Sequence, residues 1–141
     1  MRRKLSKQAN DFAHLHQRLA NDIYEFARAC NFEPTFQQAQ LLDAVQNAVL
    51  GDGNPRIAVK SGQGPGKTVT SGIVGLWLLM REPYTKLIVT APTMRQCYDV
   101  WLAEVRQTLR RASPAVANIF NLTNTGIGVL GGRSEDRKSV V

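Results

Sequence analysis

At 141 residues, with 43% hydrophobic and 21% charged side chains, the chain has the size and make-up of one globular domain or a large part of one. Its longest apolar stretch, Ile73 to Met80, falls far short of the ~20 residues a membrane span needs; the basic start Met1-Arg2-Arg3-Lys4 runs into Gln, Asn and Asp rather than an apolar block, so neither a membrane partner nor a secretory signal is expected. Eighteen Lys and Arg against eleven Asp and Glu give a formal charge of +7, which favours polyanionic partners such as DNA or RNA.

Leu5, Ala9, Phe12, Leu15, Leu19, Ile23, Phe26 and Cys30 recur at steps of three and four. That spacing predicts one amphipathic helix over about residues 4–30, within an N-terminal segment 1–32. Such a face packs on the body of the domain or docks a partner. His14 and His16 are read as surface residues. Cys30 and Cys97 have no metal-ligand spacing and are read as buried thiols on apolar helix stripes. Pro34 punctuates the chain, and a second helix is expected over Phe36 to Leu50.

Gly51-Asp52-Gly53-Asn54-Pro55 is a loop, and Arg56 to Lys60 is expected to be a short buried strand centred on Ile57, Ala58 and Val59. The next residues are Ser61-Gly62-Gln63-Gly64-Pro65-Gly66-Lys67-Thr68. The phosphate-loop pattern is Gly, four residues, then Gly-Lys-Ser/Thr; Gly66, Lys67 and Thr68 fit it, while Ser61 holds the first glycine position. Glycines let several amide N–H groups turn into one hollow, and a helix starting there adds its positive end. Lys67 is suited to the β- and γ-phosphates, and the Thr68 hydroxyl to magnesium. Pro65 donates no N–H but stiffens the loop.

From Lys67 to about Met80 the chain is apolar nearly all round, as in a buried helix, and Glu82-Pro83 stops it. Lys86 to Thr90 is expected to be a second strand. Thr93 with Gln96 forms a capping box, opening a helix lined by Met94, Cys97, Trp101, Val105 and Leu109. Beyond Ser113 a short helix near Pro114 to Phe120, a strand near Ile127 to Leu130, a Gly131-Gly132 turn and a strand start at Val140-Val141 are expected. The alternation of strand and helix predicts an α/β domain with a parallel sheet and a ligand site at the strands' carboxyl ends. Upstream of the loop, Phe36-Gln37 offers a ring to stack on and an amide able to read adenine.

Three segments in order, Glu33-Pro34-Thr35-Phe36-Gln37, then Lys60 to Thr68, then Ile88-Val89-Thr90-Ala91-Pro92-Thr93-Met94-Arg95-Gln96, resemble the N-terminal ATPase half of the large terminase subunit of tailed bacteriophages. That subunit is the motor that packs viral DNA into a capsid. The resemblance implies an α/β P-loop NTPase fold of the ASCE/RecA-like type, a parallel sheet flanked by helices, truncated here to residues 33–141 and preceded by the helical segment. It implies ATP and magnesium as cofactors, with Gln37 contacting adenine, Ser61, Gly62, Gln63, Gly64, Pro65, Gly66, Lys67 and Thr68 holding phosphate, and Thr68 holding the metal. It further implies double-stranded DNA, a small terminase subunit and a portal protein as partners, a homo-oligomeric ring, and the cytoplasm of a bacterial host. Arg133 and Arg137 fall where an arginine supplied to the neighbouring subunit could lie.

The family's Asp-Glu pair after an apolar strand is not found. Glu104 lies on the helix opened by Thr93, and Glu135-Asp136 follows a turn. The family's nuclease domain is not expected within these residues either. A fragment that binds nucleotide without hydrolysing it is therefore expected. The competing expectations are a fragment of a superfamily 2 helicase-like ATPase, or a non-catalytic truncated subunit acting in DNA or protein binding.

Overall fold

The computed structural model describes residues 1–62, 64, 66–82, 84–129 and 139–140. In chain order the elements are α1 (Arg2–Asn21), α2 (Ile23–Ala29), α3 (Phe36–Leu50), α4 (Gly66–Arg81), a π-helical segment (Gln96–Leu102) continuing into α5 (Ala103–Arg111), α6 (Pro114–Ala117), and the strands β1 (Phe120–Leu122), β2 (Gly126–Val129) and β3 (Ser139–Val140).

The expected parallel α/β sheet is not formed among the described residues. The sheet they contain is small and antiparallel, in the order β1-β2-β3. Phe120 pairs with Val129 and Leu122 with Ile127, and Gly126 pairs with Val140. Residues 56–60 and 86–90, expected to be strands, run without regular secondary structure. The first leaves Ile57 and Val59 exposed, and the second leaves Ile88 exposed. Apolar, β-branched composition suits a pleated surface, but a strand also needs a neighbour for its N–H and C=O groups. The parallel α/β sheet expected from the alternation, and with it the P-loop NTPase architecture that the resemblance implied, is thus replaced by a mainly helical assembly.

The long N-terminal helix is broken in two. Asp22 leaves helical geometry, and its carboxylate accepts from the N–H groups of Tyr24 and Glu25, capping α2. Gln46 Oε1 accepts from Ile23 N at 2.7 Å. The carbonyls at the end of α1 go to α4: Trp77 Nε1 donates to Leu19 O (2.8 Å) and Arg81 Nε to Ala20 O (2.7 Å). His16, expected at the surface, is half-buried and donates from Nε2 to Met80 O. The first three turns of α1, with Leu5 and Phe12, stay exposed. At the far end of α2, Asn31 adopts φ 54°, Asn31 N donates to Arg28 O and Phe32 N to Ala27 O. This Schellman turn sends the chain toward α3.

The core gathers Ile23, Phe26, Leu42, Ile73, Leu76, Trp77, Leu102 and Val105. α4 lies at its centre. One side of α4 meets α1 and α2; the other, carrying Gly72 and Gly75, meets α5 and the π-helical segment. A Cβ on Gly75 would stand 2.9 Å from Leu87 Cδ2 and 3.2 Å from Trp101 Cζ2, so glycine there lets the second extended segment close on the helix. Cys30 and Cys97 are both free and buried, as expected. Burial pushes the Cys30 thiol up to about 12, and burial together with the adjacent Asp43 carboxylate pushes the Tyr24 phenol up to about 12. No helix among the described residues is long and apolar enough to cross a membrane.

Candidate phosphate-binding site

The site is built by the start of α3, the segment ending at Val59, and the start of α4. Thr35 caps α3. Its hydroxyl accepts from Gln38 N (3.4 Å), and Gln38 Oε1 accepts from Thr35 N (2.8 Å). This reciprocal pair is a capping box, and it fixes the first turn of the helix. α4 opens at Gly66, with no acidic residue in its first turn. Its leading amides project without intrahelical partners, so the helix presents donors and a partial positive charge to the loop before it.

A cavity of about 370 Å³ lies between these elements, a size within the usual range for small-molecule sites. Gln37, Ser61, Gly62, Gly64, Gly66 and Lys67 line it, joined by Thr35, Gln38, Leu41, Val59 and Thr70. Residues more than twenty positions apart in sequence therefore share one wall. Lys67 is the one charged side chain among the described residues of the lining, and no carboxylate is among them. The electrostatics thus suit an anion.

Lys67 is exposed, and its Nζ donates to Ser61 O at 3.1 Å, across the loop. The ammonium is thus exposed on the cavity lining, tied to a loop carbonyl. Gly66 O accepts from Thr70 Oγ1 (2.6 Å) and Gln38 Nε2 (3.3 Å). Gln37 is exposed at the rim. Phe36, expected to stack on a base, is 80% exposed and lies outside the lining. Thr68 is half-buried on the first turn of α4, also outside the lining, and its carbonyl accepts from Ser71 Oγ. Gln63, Pro65, Arg133 and Arg137 lie outside the described residues. Thr35, Gln38, Leu41, Val59 and Thr70 were not anticipated as lining. For Thr35 and Gln38 a signal existed, since Thr-x-x-Gln before an apolar run is a capping-box pattern.

Among the described residues no group of three or more His, Cys, Asp or Glu could hold a metal by itself. No protein-family model, curated protein or solved structure matches the chain.

Proposed function

We propose that the chain is the ATP-binding portion of a viral DNA-packaging motor related to the large terminase subunit, and that its loop before α4 grips the triphosphate of ATP. The observation that supports this most is the cavity that gathers Gln37, four described glycine-loop residues and Lys67 around a single positive charge. The loop and the resemblance carry the proposal; the sheet expected from that resemblance has no part in it.

In this reading the amides at the start of α4 receive phosphate oxygens. Lys67 exchanges its bond to Ser61 O for a charge-assisted bond to the same anion. Gln37 reads the adenine edge from the rim. Thr68, on the first turn of α4, would be the residue to offer a hydroxyl to magnesium, whose charge would offset that of the phosphates. Coupling to DNA movement, a ring of subunits, contacts with a small subunit and portal, and action in the host cytoplasm belong to the whole motor. The +7 charge fits a nucleic-acid partner.

Calorimetric titration with Mg-ATP tests the proposal. Lys67→Ala removes the charge-assisted bond and is expected to weaken binding by at least roughly tenfold to a hundredfold. Equal affinities in the variant and the unaltered chain would rule the assignment out.

A further inference from the structure

We propose that Gln38 is a positioning residue for the phosphate loop, joining the cap of α3 to the first peptide of α4; this rests on the phosphate-binding reading above. Gln38 uses the two ends of its amide on two different elements. Oε1 accepts from Thr35 N, and Nε2 donates to Gly66 O. The cap alone would be served equally by Glu, since the capping box accepts either residue. Only the amide can also donate to a carbonyl.

The carbonyl it reaches matters for the site. Gly66 C=O and Lys67 N–H belong to one peptide plane, and the described chain contains no cis peptide. In a trans peptide the two groups point in opposite directions. Gln38 and Thr70 hold Gly66 O on their side, so the Lys67 amide is aimed the other way, out of the start of the helix. Fixing one carbonyl therefore fixes one of the donors that a phosphate would use. Gly66 fits the same device, because a Cβ there would stand 2.8 Å from Gln38 Nε2 and push the amide off. Gln37, one residue earlier, is exposed and lines the same cavity.

Gln38→Glu separates the roles. It keeps the acceptor for Thr35 N, loses the donor to Gly66 O, and adds a negative charge to a cavity whose lining charge is Lys67. Thermal unfolding and amide exchange across α3 are expected to be unchanged. Exchange at Thr70 and Ser71, near the start of α4 where the amides do have intrahelical acceptors, is expected to rise, and Mg-ATP affinity to fall about tenfold. If exchange and affinity both stay at the level of the unaltered chain while Lys67→Ala still loses binding, the positioning role is wrong and the nucleotide reading survives. If Lys67→Ala changes nothing, or the unaltered chain binds no Mg-ATP, the nucleotide reading fails, and exchange at the start of α4 in the free protein still decides whether Gln38 orders the loop. Should Gln38→Glu unfold, Gly66→Ala pushes on the same amide and leaves the bond from Gln38 N to the Thr35 hydroxyl in place. It must then raise exchange at the start of α4, and unaltered exchange there overturns the proposal.

Discussion

Ile73 and Ile88 are the same side chain in two different settings: the first is fully buried on α4, and the second is 77% exposed in the extended segment 86–90. A helix satisfies its backbone internally. α4 can therefore enter the core with most of its circumference apolar, packed by α1 and α2 on one side and by α5 on the other. An extended segment has no such independence, and its burial waits on neighbours that take its N–H and C=O groups. The two extended segments also differ from each other. Along 86–90, Leu87 and Val89 are half-buried while Lys86, Ile88 and Thr90 are exposed, the period-two alternation of a strand packed on one face. Residues 56–60 are exposed throughout and serve mainly to deliver Val59 and Ser61 to the cavity. Apolar composition alone thus brings a helix into the core, whereas an extended segment needs a surface already built for it.

The strongest way to break this contrast is Trp77→Ala. Trp77 is fully buried, its Nε1 donates to Leu19 O, and the Arg81 guanidinium lies 5.1 Å from its ring. Truncation leaves a cavity and strips Leu19 O of its donor, so a loss of about 3–5 kcal/mol is expected. Urea unfolding measures it, and a loss under about 1 kcal/mol would mean that α4 is not the centre of the core. Next in size is Gly75→Ala. The added methyl would meet Leu87 Cδ2 at 2.9 Å and Trp101 at 3.2 Å, and overpacking of this kind costs about 1–3 kcal/mol. Pairing it with Leu87→Ala should recover part of that loss. Strict additivity of the two changes would show that segment 86–90 does not rest on this face.

The helices were legible because periodicity and loop chemistry are local. The expected bounds of α3, Phe36 to Leu50, coincide with the observed ones, and those of α4 differ by a residue at each end. The break at Asp22 was harder to see. The three-and-four spacing continues across it from Leu19 to Ile23, and what ends α1 is the claim of Trp77 and Arg81 on its last carbonyls, a tertiary effect. The parallel sheet failed for the complementary reason: Ile57-Ala58-Val59 and Leu87-Ile88-Val89 carry strand composition, but composition does not say whether the pairing partner is present. At the site, Gly66, Lys67 and their loop were visible as a motif. The bonds of Gln38 and Thr70 to Gly66 O were not, because they depend on α3 meeting α4 at that turn.

The smallest expected effect sharpens the contrast most. Ile88→Lys places a charge in the middle of an apolar run, where burial in a sheet would make it ruinous. At 77% exposure the new ammonium stays in water. Lys86 stands on the same exposed face, and solvent and salt screen the repulsion between the two. The change should therefore alter unfolding free energy by no more than about 0.5 kcal/mol. Leu87→Ala, one residue away on the packed face, should cost clearly more because it vacates the space above Gly75. Chemical denaturation of the two variants side by side reads the difference directly. A penalty for Ile88→Lys as large as that for Leu87→Ala would mean that both faces of the segment are covered in solution, and the distinction between a self-sufficient helix and a one-sided extended segment would fail.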